Sequence, residues 1–363
     1  MMVLTANTTP SLFGLRNSNK DFSKKKNWGK NQFNSTFPAS LACFMGSKGI
    51  LPVYLKLTED LKVEHSTIGL EELFGLDQAS PNLYFGFENQ FATYAPLVIG
   101  KFDGIDLVTM DLAKSPAFPL RGLEVKLTAI PDNVTRNKDL QLQGPEIVIR
   151  PQSIYYLAMR IASYYREDKD FIRETLNPIC MHIRDWSDHD RVAPYLGRLI
   201  DAMNKILLNK LQEQSPFVMQ PIWRSDGVSL RLAVDCFDMF VWSDMAFTRL
   251  FVDLAARASA NRKLSRQSRT VFWLAKMLFD FSVFGQFNPR ETKDTITFGA
   301  ANDKAFAVSG QVTNGYLRSP ELETPRIKSI DLRQIILGGG HLYLQPERRL
   351  DAAIVTTQGI FDE

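Results

Sequence analysis

The chain reads Phe102-Asp-Gly-Ile-Asp-Leu-Val-Thr-Met-Asp111 and then Pro119-Leu-Arg-Gly-Leu-Glu-Val-Lys-Leu-Thr128, and these two stretches decide the fold. Both alternate apolar with polar residues, which is typical of half-buried β-strands. Side chains two residues apart in a strand point to the same face, so Glu124 and Lys126 share a face, about 6.6 Å apart along the strand. We expect Asp106, at the head of the preceding strand, to reach the same place.

Two acids and a lysine that converge can hold a hard divalent cation and a water beside a phosphodiester. The spacing of an acid two residues before a lysine is weak evidence by itself, because it recurs at Asp60–Lys62, Glu167–Lys169 and Glu291–Lys293. Only the pair Glu124 and Lys126 lies in a clear apolar alternation. The alternative is a half-buried strand whose solvated face carries these two residues as an ordinary polar pair.

The same residues resemble the PD-(D/E)xK nuclease pattern, with Asp106 as the leading acid. One departure is that Ile105, rather than proline, precedes Asp106. A wider resemblance, over residues from about 11 to 135, is to the HindVP/HgiDI family of type II restriction endonucleases. The runs that carry it are Ser11–Phe22, Trp28–Ser35, Phe37–Pro38 and Gly122–Asn133.

The resemblance implies that Asp106, Glu124 and Lys126 are catalytic. It also implies that Mg²⁺ binds Asp106, Glu124 and the backbone carbonyl of Val125, while Lys126 orients or helps deprotonate the attacking water. Proximity to a dication is expected to keep both carboxylates ionised.

Three other acids compete for the metal. Asp103 precedes a glycine and suits a turn, whereas Asp111 ends its strand and faces away from Asp106 in a regular strand. Glu88, which ends an earlier strand, is a further candidate. We therefore expect Asp106 to be the leading acid.

The family resemblance implies a type II restriction endonuclease that hydrolyses double-stranded DNA at a short palindromic site, GRCGYC, and leaves 5′-phosphates. A homodimer is expected because a two-fold dimer places one centre on each strand of a palindrome. A cognate DNA methyltransferase encoded nearby is implied as a functional partner. The alternatives are a non-catalytic DNA-binding or scaffolding protein and another PD-(D/E)xK nuclease that acts in DNA repair.

The composition fits a soluble globular protein, with 363 residues, 45% hydrophobic, 23% charged and a net charge of +3. Two clusters of basic residues could neutralise phosphates or could be solvated surface: Lys20, Lys24, Lys25, Lys26 and Lys30, and Arg257, Arg262, Lys263, Arg266 and Arg269. The 3 cysteines fit no metal or disulfide framework and favour a reducing compartment. No apolar run approaches the roughly 20 residues of a membrane span, so a cytoplasmic protein is expected.

The order of patterns predicts an α/β (α+β) fold with a restriction-endonuclease-like mixed central sheet flanked by helices. Four regions are expected, or one compact domain that contains them all: N-terminal arm and loops 1–47, catalytic core 48–185, helical region 186–293 and β-rich C-terminal region 294–363. Strands are predicted at Ile50–Lys56, Asn82–Glu88, Arg121–Ala129 and Glu146–Arg150, with a strand pair within Pro96–Thr109. Helices are predicted at Leu70–Gly75, opened by Thr67, and at Ser153–Tyr165, Arg191–Gln212, Ala246–Ala260 and Thr270–Phe284.

Four other segments allow more than one structural or functional interpretation. Leu230–Trp242 could be a strand or a buried helix. Gly338–Gly340 lacks the Lys-Ser/Thr of a nucleotide loop and favours a glycine hairpin. His182 and His189 have no second ligand at zinc-site spacing and are expected to be surface or packed residues. Trp223–Gly227 is expected to be a loop whose Arg and Asp are candidates to contact base edges.

Overall fold

A computed structural model describes the backbone and many side chains of this protein. The described residues are 17–19, 39, 43, 49, 51, 53–58, 60, 63–115, 117–129, 146–149, 151–210, 217–220, 224–226, 229–231, 238–241, 248–249, 251–253, 255–256, 266–299 and 306–309. At 53–57, 63, 65–66, 123–129, 146–149, 266–267 and the strands beyond 210, the backbone is described and the side chains are not. Most of the N-terminal arm, the Lys20–Lys30 basic cluster, Gly338–Gly340 and most of the C-terminal region lie outside the described residues.

The described part of the chain contains these strands: β1 (Val53–Leu57), β2 (Val63–Thr67), β3 (Leu83–Asn89), β4 (Ile105–Asp111), β5 (Phe118–Ala129), β6 (Glu146–Ile149), β7 (Phe217–Gln220), β8 (Arg224–Asp226), β9 (Ser229–Arg231), β10 (Asp238–Val241) and β11 (Phe306–Ser309). Its helices are α1 (Leu70–Phe74), α2 (Pro151–Tyr164), α3 (Lys169–Cys180), α4 (His189–Val192), α5 (Leu196–Asn209), α6 (Arg266–Phe284) and α7 (Pro289–Thr295). Two 3₁₀ helices cover Ala92–Leu97 and Ala193–Tyr195.

Strand β5 is the hub of the sheet. The strand order is β11-β6-β5-β10-β7-β1-β2, and β5 also pairs with β4 and β8. Strands β3, β4 and β5 form an antiparallel unit, and the contact of β5 with β8 is parallel. At 12 residues β5 is long enough to change partners along its length.

Apolar residues cover both faces of the β3–β4 pair. Leu107 packs into a smaller cluster with Phe74, Phe85 and Phe87, while Val108 packs into a larger helical cluster. A strand covered on both faces has a continuous apolar run instead of strict alternation. This explains why every residue from Leu83 to Phe87 in β3 is buried.

The larger cluster is built around α6. Every residue from Ser268 to Ala275 in this helix is buried, as expected for a helix surrounded by other elements. The indole Nε1 of Trp273 donates to the carbonyl of Ile296 at 3.1 Å, which satisfies the polar atom of a fully enclosed ring. Helices α2, α3 and α5 contribute the other walls of this core.

The mixed helix-and-sheet class is confirmed, and so are the elements predicted around β1, β3, β5, β6, α2, α5 and α6. Leu230–Trp242 contains the end of β9 and all of β10 in its described part, which favours the strand interpretation. The division into four regions stays a prediction. No described helix is long and apolar enough to span a membrane.

Several local predictions are wrong. The strand pair within Pro96–Thr109 is not formed, because Ala92–Leu97 is a 3₁₀ helix and β4 pairs with β3 and β5 instead. Thr67 does not open α1, since it ends β2 and Gly69 is the N-cap.

Part of the loop expected at Trp223–Gly227 is the strand Arg224–Asp226, which pairs with both β9 and β5. Helices α3 and α7 were not predicted.

Thr109 and Thr175 are predicted to respond oppositely to replacement by valine. The buried Thr109 hydroxyl donates to the Phe74 carbonyl at 2.7 Å and so ties β4 to α1. Within the described part, the Thr175 hydroxyl oxygen is buried with no hydrogen-bond partner. In urea unfolding, Thr109→Val should lower the free energy of unfolding by about 1–2 kcal/mol, because the carbonyl loses its donor, whereas Thr175→Val should be neutral or stabilising. Equal losses in the two variants would contradict this account.

Candidate active site

The site is built on β4, which delivers Asp106. Ile105 and Leu107 are buried on either side of it and fix the strand against the core, while Asp106 itself is half-buried. A carboxylate between two anchored apolar residues has little freedom in its backbone. Asp106 is therefore held at the end of a rigid strand rather than on a loop.

The register of β4 against β5 determines what faces Asp106. The pairs are Leu107↔Leu123 and Val108↔Gly122. Continuing this register by one residue sets Asp106 opposite Glu124. Directly opposite residues of an antiparallel pair project to the same face, with Cβ atoms about 4.5–5.5 Å apart.

Glu124 stands where β5 changes partners. Strand β4 pairs with β5 up to Leu123, and β10 pairs with β5 from Glu124 to Leu127. Lys126, opposite Met239 of β10, follows Glu124 by two residues and so shares its face. Continued by one residue, the β4–β5 register would bring Asp106 to the face that Glu124 and Lys126 share, and the side chains of Glu124 and Lys126 lie outside the described residues.

Two glycines, each two residues before one of the acids, allow close packing around this point. A Cβ on Gly104 would overlap the Glu88 carbonyl and lie 2.6 Å from its carbon atom, so the turn before β4 presses directly on the β3 backbone. A Cβ on Gly122 would lie 2.7 Å from Cδ1 of Ile105, whose side chain covers this glycine. The repeated Gly-x-acid pattern was present in the sequence and is the signal that could have revealed this packing.

The competing acids have distinct places. The Asp103 carboxylate forms an ion pair with Arg290 at 3.7 Å, and the Asp111 carboxylate accepts from the Ala113 backbone N–H at 2.9 Å. Asp103 lies two residues before β4 and Asp111 is the last residue of β4, so the two carboxylates lie at opposite ends of the strand. Glu88 lies between the pairs that join Phe87 to Leu107 and Asn89 to Ile105, which is the position in β3 opposite Asp106.

Glu88 adopts a φ of 53°, in the left-handed region that non-glycine residues seldom occupy. Its side chain is exposed. The strand therefore turns at Glu88, and this turn brings the Glu88 carbonyl onto Gly104. Adjacent strands β3, β4 and β5 each carry an acid at this level of the sheet.

Other reactive side chains near the core are poorly suited to catalysis. Burial raises the pKa of the thiols of Cys43 and Cys180 to about 12, so both stay protonated and unreactive. The pKa of Tyr155 is raised, first by burial and then by the charges of Asp294 and Asp103, against a smaller lowering by Arg290. Its hydroxyl therefore remains a neutral group at ordinary pH.

The histidine prediction agrees with the geometry. His182 is exposed, and His189 contacts Asp190 at 3.1 Å and packs edge-on against the ring of Phe298. No group of three His, Cys, Asp or Glu side chains that could hold a metal ion occurs among the described residues. The Glu124 side chain lies outside the described residues, so this absence does not bear on the predicted Asp106–Glu124 site.

The comparisons with known proteins identify the family. Residues 28–361 match the model of the HindVP restriction endonuclease family. The chain is 44% identical over 354 residues to the type II restriction enzyme HgiDI of Herpetosiphon aurantiacus, covering 98% of each chain. It is 37% identical over 355 residues to the probable type II restriction enzyme HindVP of Haemophilus influenzae, covering 98% of this chain and 96% of the relative.

The match spans nearly the whole chain and both relatives are restriction enzymes by name. The chain belongs to the HindVP restriction endonuclease family. The predicted enzyme class and family are confirmed at this level, and the resemblance extends through the C-terminal half. No solved structure matches the chain significantly.

Gly104→Ala is predicted to disturb the site, because the added methyl group meets backbone atoms of Glu88 that cannot rotate away. We expect a loss of about 1–3 kcal/mol in the free energy of unfolding and a loss of cleavage, since relief requires movement of the turn before Asp106. Gly197→Ala is the control: a Cβ there meets nothing within 4 Å, and Gly197 lies in α5, so helix propensity should make the change neutral or stabilising. Wild-type stability and cleavage in Gly104→Ala would contradict the packing described here.

Proposed function

We propose that this protein is a type II restriction endonuclease that hydrolyses double-stranded DNA at a short palindromic site with Mg²⁺, using Asp106, Glu124 and Lys126. The observation that supports the proposal is the β4–β5 register, which pairs Leu107 with Leu123 and, continued by one residue, would set Asp106 opposite Glu124 in a chain of a restriction endonuclease family. The PD-(D/E)xK pattern requires such a meeting of a leading acid with an acid-x-lysine strand. In this chain the pairing of two adjacent strands supports it.

The donor set fits a hard divalent cation. Mg²⁺ prefers oxygen ligands and is usually held by one or two carboxylates, with water and substrate oxygens completing the octahedron. Asp106 and Glu124 supply two carboxylates, and the backbone carbonyl of Val125 is a third oxygen on the same strand. When bound, the cation would polarise the scissile phosphate and lower the pKa of a nearby water.

Lys126 has a different task. Lys126 follows Glu124 by two residues and so lies on the same face of β5. Its ammonium group can donate to the attacking water and orient it toward the phosphorus. The positive charge also offsets the negative charge that grows on the phosphate in the transition state. The backbone of β5, paired on residues 124–127 with β10, keeps Lys126 at a fixed distance from Glu124.

The finer features of the proposal come from the family resemblance. They are the site GRCGYC, 5′-phosphate ends, a homodimer, a cognate DNA methyltransferase encoded nearby as functional partner, and action in the cytoplasm. A restriction-endonuclease-like arrangement of the core, within residues 48–185, belongs to the same proposal. The two-fold symmetry of a palindrome supports the homodimer.

Removal of Mg²⁺ or of any proposed catalytic group should abolish cleavage. Incubated with plasmid and Mg²⁺, the wild-type protein should give discrete fragments, and EDTA should prevent them. Asp106→Asn, Glu124→Gln and Lys126→Ala should each lower the cleavage rate about 10²-fold or more, because each removes charge needed in the transition state. All three should still retard DNA in a gel.

Asp111→Asn is the matched control, because Asp111 lies on the same strand and its oxygen accepts from the Ala113 N–H, a bond that asparagine can keep. It should cut at the wild-type rate. Cleavage by Lys126→Ala at the wild-type rate would refute the catalytic assignment. A smear would favour a non-specific nuclease of the same pattern, and retarded but uncut DNA would favour a scaffold.

A further inference from the structure

We propose that Tyr156 is a positioning residue of the metal site, acting through the turn Phe102–Gly104 that precedes Asp106. The proposal rests on the proposed function and extends it to a residue on a different element. Tyr156 lies on α2 and is 2% exposed. Its hydroxyl donates a hydrogen bond to the backbone carbonyl of Asp103.

The ring of Tyr156 also packs against Phe102 of the same turn. It packs edge-on against Phe102 with centroids 6.0 Å apart, and it packs at a tilt of 52° against Tyr94 with centroids 5.9 Å apart. Phe102 is 7% exposed and belongs to the larger core cluster. One side chain thus contacts the turn by both packing and hydrogen bonding.

The turn is tied to other elements as well. The side-chain amide of Gln90, just after β3, donates to the Phe102 carbonyl. Arg290 on α7 pairs with the Asp103 carboxylate at 3.7 Å. Gly104 rests on the Glu88 carbonyl. Among these contacts, the hydrogen bond from Tyr156 is the one that comes from the buried helix α2.

Solvation alone does not account for the Tyr156 hydrogen bond. Lys101, Asp103 and Gly104 are exposed, so water could reach the turn and satisfy the Asp103 carbonyl without a buried hydroxyl. A bond from a buried helix instead fixes where the turn sits. Asp106 follows Asp103 by three residues. This hydrogen bond therefore fixes where β4 begins, and with it the position of the Asp106 carboxylate relative to Glu124.

Small displacements there should affect metal binding before they affect DNA binding. Groups that orient metal ligands from behind typically change metal affinity or activity 10–100-fold when removed. DNA affinity depends on many phosphate contacts spread over the protein. Loss of the Tyr156 hydroxyl should therefore raise the Mg²⁺ requirement and leave DNA binding in EDTA unchanged.

The test compares Tyr156→Phe with Tyr165→Phe in the full-length protein. Tyr165 is equally buried, and its hydroxyl donates to the Ile206 carbonyl at 2.6 Å and accepts from Asn209 at 3.1 Å, away from the turn. Both variants lose one buried hydroxyl that binds a carbonyl, so both should unfold at a lower temperature. Three quantities are measured: the Mg²⁺ concentration for half-maximal cleavage, the rise in Tm on adding Mg²⁺ without DNA, and DNA retardation in EDTA.

For Tyr156→Phe we expect a half-maximal Mg²⁺ concentration on the order of tenfold higher, and a smaller Mg²⁺-dependent rise in Tm, because stabilisation follows the fraction of metal bound. Tyr165→Phe should match the wild type in both. Gln90→Leu, on the exposed side of the turn, is a second variant and should raise the Mg²⁺ requirement less.

Three results would overturn the proposal. If Tyr156→Phe and Gln90→Leu matched the wild type in half-maximal Mg²⁺ concentration and in the Mg²⁺-dependent rise in Tm, the positioning role would be refuted. The proposed function would stand in that case, because the wild type would still cut with Mg²⁺. An equal change in Tyr165→Phe would show a general structural effect. A wild-type protein that neither cuts nor responds to Mg²⁺ would refute the proposed function, and this proposal with it.

Discussion

The pairing of β4 with β5 is the constraint on which the proposed chemistry depends. Side chains alternate along a strand, so a slip of one residue would turn Glu124 and Lys126 to the opposite face and separate them from Asp106. The register is held from both faces of the sheet. Leu107 is buried in the smaller cluster and Val108 in the larger one, and Ile105 covers Gly122. The Thr109 hydrogen bond to α1 fixes the position of β4 along its own axis.

Electrostatics explains why such a site needs a cation. In the proposed site the carboxylates of Asp106 and Glu124 would repel each other, and the half-buried position of Asp106 would strengthen the repulsion. A divalent cation between them would turn that repulsion into attraction, and Lys126 would add a positive charge on the same face. Such a site would be least stable without its metal. The close backbone contacts at Gly104 and the hold of Tyr156 on the preceding turn resist the separation that repulsion would favour.

Local patterns in the sequence predicted much of this arrangement. The alternation in Phe102–Asp111 and Pro119–Thr128 predicted both strands, and apolar periodicity predicted α2, α5 and α6. The pairing itself could not be read from these patterns, because register depends on contacts such as Ile105 on Gly122 that join residues distant in sequence. The same limitation applies to Pro96–Thr109, where a strand pair was predicted, because its first residues belong to the 3₁₀ helix Ala92–Leu97.

Helix α3 was missed because its apolar residues are few and Pro178 lies within it, so tertiary packing of Ile172 and Leu176 decides its structure. The catalytic residues were proposed from a motif, and the register of β4 and β5 gives that motif a physical basis. Tyr156 could not be found from the sequence, since nothing in α2 marks one buried tyrosine among its apolar neighbours. Its role depends on the carbonyl that its hydroxyl meets across the core.

Disulfide trapping tests the central claim most directly. In a variant whose 3 native cysteines are replaced by alanine, Asp106→Cys and Glu124→Cys are combined and oxidised, and tryptic peptides are analysed by mass spectrometry. The Cα atoms of directly opposite residues in an antiparallel pair lie about 4.5–5.5 Å apart, which is within the range of Cα separations that a disulfide bridges. We expect a linked pair of peptides, 102–114 with 122–126, and no such link when Asp111→Cys replaces Asp106→Cys. Absence of the link from the 106–124 variant, or its equal formation from position 111, would contradict the register that places the two acids together.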